Sequence, residues 1–313
     1  MIIKELYLFC QIFFIIVNPN AGRGKGKKFI PLLNSSINSW IKKHVRIRQI
    51  SAEVWKTTAP REAVNMAREG VAAGFDTLVA VGGDGTIHEV ANGILQAGGA
   101  VALGAIRVGS GNDFLRYFDF PVDFEQAMDI IAAGREQVID IGQVENHYFV
   151  NAIGIGFDAE VGYEMSKIHW LGGTAVYFYA VLKRLLRYHT PRVSIYTDEK
   201  LFFHGEMTLL AVGNGVSTGG GFRLTPDAKI NDGQFDLCLI QAIPIRKAAT
   251  LLPRVLYGRH TVHPDVKMTR ARLIKVIFDS ESLAVHLDGE FDELDSRSFT
   301  IDLLPKQLRV IVP

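Results

Sequence analysis

The chain has 313 residues, 48% of them hydrophobic, which allows a large core and, at roughly 150 residues per domain, two domains. A formal net charge of +1 excludes a nucleic-acid footprint spread over the whole surface, so no nucleic acid is expected as a partner. Two cysteines, Cys10 and Cys238, are too few and too far apart for a disulfide framework or a zinc site, and a cytoplasmic location is the expectation.

Leu6–Val17 is apolar apart from Gln11 and follows Lys4, which imitates a secretory signal. About 12 residues cannot span a bilayer as a helix. Phe13–Val17 is better read as a first parallel strand, because it runs straight into the turn Asn18, Pro19, Asn20, Ala21, Gly22. The following loop, Arg23–Lys28, alternates glycines with cations and suits phosphate or plain solvent. It matches neither a Walker A loop nor GxGxxG. Ile30–Trp40 reads as a helix and Val45–Ile50 as a second strand. Thr57 and Thr58 precede Pro60, which fits the first turn of a helix carrying Ala63, Val64, Ala67 and Val71.

The most informative stretch is Leu78–Glu89. Leu78–Val81 are continuously apolar, as in a parallel strand covered on both faces. Gly82 and Gly83 then turn the chain with no side chain in the way. Asp84 and Gly85 follow, and Thr86 is expected to cap a helix through Ile87, Val90, Ala91 and Ile94. Such a helix points unsatisfied N–H groups and its positive dipole end at the turn, which favours an anion. Strand, glycines, carboxylate and helix start together read as a phosphate cradle with an acid available for Mg2+. Val101–Val108 repeats the design, delivering Gly109, Ser110, Gly111, Asn112 and Asp113 to the same edge. Alternating strands and helices imply a parallel sheet, with ligands beyond the carboxyl ends of its strands.

From Val138 the texture becomes β. Strands are expected at Val138–Val144, Tyr148–Ile155, Val193–Tyr196, Leu201–Gly213, Phe235–Ala242, Ile274–Asp279, Ala284–Leu287 and Gln307–Val312, with helical inserts at Ala175–Tyr188 and Ile245–Tyr257. A second, mostly antiparallel domain follows. Pro226–Gly233 reads as a polar turn or, through its carboxylates and carbonyls, as a hard-cation site. Leu287–Glu290 ends a strand, with Gly289 allowing a bend that projects Glu290; a surface hairpin has the same pattern. His88-Glu89 starts like a zinc-protease helix, but Asn92 holds the second metal position. His260 and His263 are expected on the surface. Between Ile243 and Lys275 eight cations face Asp265 alone, and Lys183, Arg184, Arg187 and Arg192 add to them beside Val181, Leu182, Leu185 and Leu186. These basic, apolar helices suit either solvent or an anionic membrane surface.

With GGDGTIHEVANG, VGSGNDF, PDAKINDGQFDL and LDGE in this order, the chain resembles the diacylglycerol kinase-like lipid kinases, above all their small soluble bacterial branch. The likeness covers nearly everything from Phe13 onward. It implies an N-terminal Rossmann-like α/β nucleotide domain of the NAD kinase and diacylglycerol kinase type and a C-terminal β-sandwich-like domain, with the active site in the cleft. The expected bounds are 11–137, with 303–313 returning, and 138–302. By the same resemblance ATP binds at Asn18–Gly22, Thr57, Gly82–Thr86, Glu89 and Ser110. Glu290 accepts the proton of a lipid hydroxyl, with Asp84 and Asp113 as further catalytic acids, and a structural Mg2+ sits at Asp232 with carbonyls of Lys229 and Gln234. Diacylglycerol or a similar lipid is the implied substrate, with peripheral contact to an anionic membrane and a sheet-edge homodimer compatible. His88 stands where the family has asparagine and is expected at the helix surface. Arg107 replaces a proline and is expected to loosen the loop after it. A NAD-kinase-like enzyme and a non-catalytic nucleotide sensor are the alternatives.

Overall fold

The computed structural model describes residues 10–22, 35–36, 39–40, 49–99, 101–109, 111–168, 174–185, 188–280, 283–294 and 297–313. The expected loop Arg23–Lys28, most of the helix expected at Ile30–Trp40, residues 45–48, Ser110, Leu186 and Arg187 lie outside these residues. The chain divides into two compact units: residues up to Ile139 with Gln307–Pro313, and Asp140–Lys306.

The first unit is built on β1 (Cys10–Val17), β2 (Gln49–Lys56), α1 (Glu62–Ala72), β3 (Thr77–Gly82), α2 (Asp84–Gln96), β4 (Ala102–Arg107), α3 (Asp113–Tyr117) and α4 (Phe124–Ala133). Its strands pair in parallel in the order β2-β1-β3-β4. The last residues of the chain join β4, also in parallel, through Arg309 and Val310. Phe13–Val17 and Leu78–Val81 are all buried, as a sheet with helices on its faces requires. Gly93 lets α2 lie directly on α1, since a Cβ there would stand 2.4 Å from the Val64 carbonyl. Val312 donates to the Arg135 carbonyl at 2.8 Å and Arg135 to the Pro313 carbonyl at 3.0 Å, which fastens the returning tail.

Strand β5 (Glu136–Val144) follows in the chain, and the second unit holds two antiparallel layers. Strands β7 (Ala152–Gly156), β9 (Lys200–Gly213), β10 (Phe235–Gln241), β11 (Val266–Ala271), β13 (Leu283–Leu287) and β14 (Glu290–Leu294) pair in the order β14-β13-β7-β9-β10-β11. The first half of β9 pairs instead with β8 (Arg192–Thr197), followed by β12 (Leu273–Phe278) and β15 (Ser298–Ile311). Strand alternation sorts the side chains. Leu210, Val212, Leu237 and Leu239 enter the core between the layers, whereas Leu209, Ala211, Cys238 and Ile240 pack on the opposite face with α5 (Phe157–Ser166), α6 (Thr174–Leu185) and α7 (Ile245–Leu256).

Several elements differ from expectation. Tyr148–Ile155 is not one strand: it breaks into β6 (His147–Phe149) and β7, because the Asp288 carboxylate takes the N–H groups of Val150, Asn151 and Ala152 at 2.9, 2.8 and 3.0 Å. Strands β11 and β14, invisible as short polar-rich segments, form because β10 and β13 offer them an open edge. His260 is completely buried, since the left-handed Gly258 folds the chain back after α7 and drives residue 260 inward. No helix among the described residues is long and apolar enough to cross a membrane.

Candidate active site

In the first unit, parallel pairing brings the carboxyl ends of β1, β2, β3 and β4 to one edge. Their loops are stitched together by main-chain bonds: Asn18 to Val81 at 3.0 Å, Thr57 to Val17 at 2.9 Å, and Val108 and Gly109 to the Gly82 carbonyl at 2.8 and 3.1 Å. Two glycines touch where these loops meet. A Cβ on Gly109 would lie 2.4 Å from the Gly83 Cα, so the contact exists only without side chains. Gly82 is equally constrained, because its Cβ would strike the Thr86 hydroxyl at 2.2 Å. The result is bare backbone at the start of a 13-residue helix, an arrangement suited to an anion.

Helix α2 begins at Asp84 rather than at Thr86, because Gly83 takes the extended backbone of a cap (φ −102°, ψ −167°). Thr86 therefore sits inside the first turn, where its hydroxyl accepts from Asn18 Nδ2 at 3.1 Å. Asn18 Oδ1 accepts from the Asn20 N–H at 2.9 Å, ordering the Asn18–Gly22 turn from within. Asp84 Oδ1 accepts from the Phe114 N–H at 3.3 Å, joining the glycine turn to α3, in which Asp113 is buried. Glu89 faces another way: it accepts from the N–H groups of Arg61 and Ala63 at 3.2 and 3.1 Å, capping α1. His88 is half-buried beside Asn92. Arg107 does not leave its loop untethered. It donates to the Phe120 carbonyl at 2.8 Å, and burial together with Arg116 pushes its guanidinium pKa down, with Asp84 opposing.

In the second unit, Leu287-Asp288-Gly289-Glu290 is a two-residue hairpin, with Leu287 paired to Glu290 and both central residues left-handed (φ 53° and 92°). Asp-Gly is the pair such a turn selects. The motif divides its acids: Asp288 is buried as the acceptor of three N–H groups, and Glu290 is exposed at the head of β14.

The Pro226–Gly233 turn is pinned from below by Asp140, a buried acid that sequence reading passed over. Asp140 Oδ2 accepts from Gly233 N–H at 2.7 Å, and its own N–H donates to the Ile230 carbonyl at 2.8 Å. An aspartate in the middle of Val138-Ile139-Asp140-Ile141 was the available signal, because an acid in a buried strand needs donors. One Asp232 oxygen accepts from the Gln234 N–H at 3.2 Å and the other is ion-paired to Arg270, which also reaches Asp236 at 3.3 Å. A cation held by Asp232 with the carbonyls of Lys229 and Gln234 would have to displace that guanidinium.

Between the outer sheet face and the helices of the second unit lies a cavity of about 320 Å³, lined by Phe157, Val181, Leu209, Ile240, Leu251 and Val255 among others, with Asp158 in its wall. Several cations expected to face a membrane are neutralised nearby. Lys183 and Arg184 pair with Glu164, and Lys247 with Asp265 at 2.7 Å. His260, beside this layer, lies 3.1 Å from the Leu224 carbonyl and 3.4 Å from Cys238 Sγ; burial keeps it neutral and pushes the thiol up to about 12.

Residues 12–144 match the family model of the diacylglycerol kinase catalytic domain, and residues 151–312 that of the YegS C-terminal NAD kinase beta sandwich-like domain. A diacylglycerol kinase of Bacillus subtilis (strain 168) is 32% identical over 301 residues, 96% of this chain and 95% of the relative. The chain belongs to the diacylglycerol kinase family. A Staphylococcus epidermidis diacylglycerol kinase is 31% identical over 278 residues, covering 88% of this kinase and 85% of the relative. In fold, the kinase is similar to a crystal structure of a diacylglycerol kinase from Bacillus anthracis str. Sterne (TM-score 0.70, 21% identity, 98% of both chains). It is also similar to an NAD kinase from Archaeoglobus fulgidus in complex with ATP (TM-score 0.56, 14% identity, 96% of this chain and 93% of that one).

Proposed function

We propose that this kinase transfers the γ-phosphoryl group of MgATP to the hydroxyl of diacylglycerol or a closely related lipid. The observation that carries the lipid half is the apolar cavity beneath α5, α6 and α7, whose lining is almost wholly hydrocarbon and suits an acyl chain. A pocket for a dinucleotide such as NAD would call for polar and charged lining instead, which disfavours the NAD-kinase reading. The nucleotide half rests on the bare backbone around Gly82, Gly83 and Gly109 and on the start of α2.

In this reading the phosphates lie against the glycine edge, held by N–H groups at the start of α2, with Asn18–Gly22, Thr57 and Ser110 completing the nucleotide site. Asp84, which also holds the Phe114 N–H, and Asp113 would hold the metal that comes with the nucleotide, which would neutralise phosphate charge there. The lipid oxygen attacks the γ-phosphorus, the bond to the β–γ bridging oxygen breaks, and ADP leaves. Glu290 accepts the hydroxyl proton, a step worth roughly 10² to 10⁴-fold in rate. Phosphoryl transfer otherwise asks mainly for positioning and charge neutralisation. No structural Mg2+ at Asp232 is invoked, since Arg270 already supplies the positive charge there.

The kinase works from the cytoplasmic side and touches anionic membranes peripherally in this reading. Exposed Leu182, Tyr257 and Val262 supply apolar contacts, with Arg254 and Arg259 beside them in sequence. Incubation with γ-labelled ATP and, in parallel, diacylglycerol, a total lipid extract and NAD+ tests the proposal. Labelled phosphatidic acid is the expected product; label in NADP+ alone would overturn it. Nucleotide binding without any labelled product would instead support a sensor.

A further inference from the structure

Beneath Glu290 lies a histidine that none of these roles uses. His286 is buried on β13, opposite Gly154 of β7. Its Nδ1 accepts from the Gly289 N–H at 3.2 Å, so the ring proton of the neutral imidazole sits on Nε2, which donates to Asp158 Oδ2 at 2.9 Å. Asp158 stands in the first turn of α5 and in the wall of the apolar cavity. Space for the pair is made by a missing side chain: a Cβ on Gly154 would lie 2.2 Å from His286 Nε2 and 2.6 Å from Asp158 Oδ2.

We propose that His286 is a positioning residue: held through Nε2 by Asp158 in the cavity wall, its Nδ1 fixes the Asp288–Gly289 peptide, one residue before Glu290. The hairpin does not need this bond to form, because the left-handed Asp-Gly pair and the three N–H groups held by Asp288 already set its register. What His286 adds is orientation. It fixes the Gly289 amide, and hence the direction in which the next residue leaves the turn, relative to the place where a lipid would lie. A misplacement of about 1 Å in such a group costs on the order of 100-fold in rate. The proposal rests on the reading of Glu290 as proton acceptor.

The two ring nitrogens can be tested separately in the full-length kinase. His286→Asn keeps an acceptor near the Nδ1 position for Gly289; His286→Gln keeps a donor near the Nε2 position for Asp158; His286→Ala keeps neither. The expected result is a kcat at least tenfold lower in H286A with the ATP KM unchanged, partial recovery in H286N, which keeps the Gly289 contact without the Asp158 anchor, and little in H286Q. Hydrogen exchange at the Gly289 amide, measured without substrates, should accelerate in H286A and H286Q and stay slow in H286N. If H286A fails to fold, the contrast between H286N and H286Q decides. Unaltered exchange at Gly289 in H286A or H286Q, or an asparagine variant no better than glutamine, would overturn the clamp. A wild-type protein that phosphorylates no lipid would sink the functional reading instead, while the exchange measurement still judges the clamp.

Discussion

At Gly82–Asp84 a parallel strand turns into a helix, and the acid there is part of the scaffold: Asp84 holds the Phe114 N–H, as Glu89 one turn later holds those of Arg61 and Ala63. At Asp288–Glu290 an antiparallel hairpin carries two acids two residues apart, one buried under three N–H groups and one in solvent. In the proposed reading the first turn asks one carboxylate, Asp84, both to order a loop and to face a ligand. In the same reading the second gives these tasks to separate residues, Asp288 and Glu290. Substitutions in the hairpin should therefore separate stability from turnover, and substitutions on the glycine edge should not.

The largest effect is expected at Glu290. Glu290→Gln should lower kcat by roughly 10² to 10⁴-fold and leave the thermal midpoint unchanged, as the side chain is exposed; lipid phosphorylation at the wild-type rate would break the division of labour. Its neighbour should behave in the opposite way. Asp288→Ala strands three buried N–H groups, each costing about 1–3 kcal/mol in part relieved by water, so urea unfolding should show a loss of roughly 3–5 kcal/mol. A stable D288A with intact β6 and β7 would show that the strand break has another cause.

On the glycine edge, Gly109→Ala must push the loop from Gly83, where its Cβ would meet backbone at 2.4 Å. The ATP KM should rise by about tenfold, equivalent to ~1.4 kcal/mol, with part of the stability lost alongside. A change in KM alone would mean that the two loops are less interdependent than their bonds to the Gly82 carbonyl imply. The smallest effect concerns His260. Burial lowers its pKa in the folded chain below 6.5, so as pH falls through 6.5 the unfolded chain takes up a proton that the folded chain refuses. Stability should decline below that pH, by at most about 1.4 kcal/mol per pH unit, and be flat above it. Urea titrations at pH 7.5 and 5.5 check this, with His260→Asn expected to reduce the slope.

The glycine edge and the Asp-Gly hairpin were legible because both are written locally. Four apolar residues, two glycines and an acid fix the turn of β3 into α2 whatever surrounds them, and an Asp-Gly pair between apolar runs selects its own hairpin. The same holds for most of the β-texture after Val138, since alternation with a period of two survives any packing. Reading failed where a residue's role depends on a distant partner. Tyr148–Ile155 has the composition of an unbroken strand, and only an aspartate about 137 positions later interrupts it. Arg270 lies 38 residues from the Asp232 it pairs with, so this ion pair could not be read from the turn itself. His260 has surface-like neighbours in sequence, yet the turn at Gly258 buries it.

The sequence alone thus determined the change from alternating strands and helices to β-texture near Val138, the glycine turn of β3 into α2 and the turn before Glu290, because strand period and glycine freedom act over a few bonds. Tertiary structure decided which acids are spent on backbone N–H groups, where the apolar cavity opens, and which histidines are buried. Those outcomes follow from desolvation and from partners brought together across more than a hundred residues, and no local pattern encodes them.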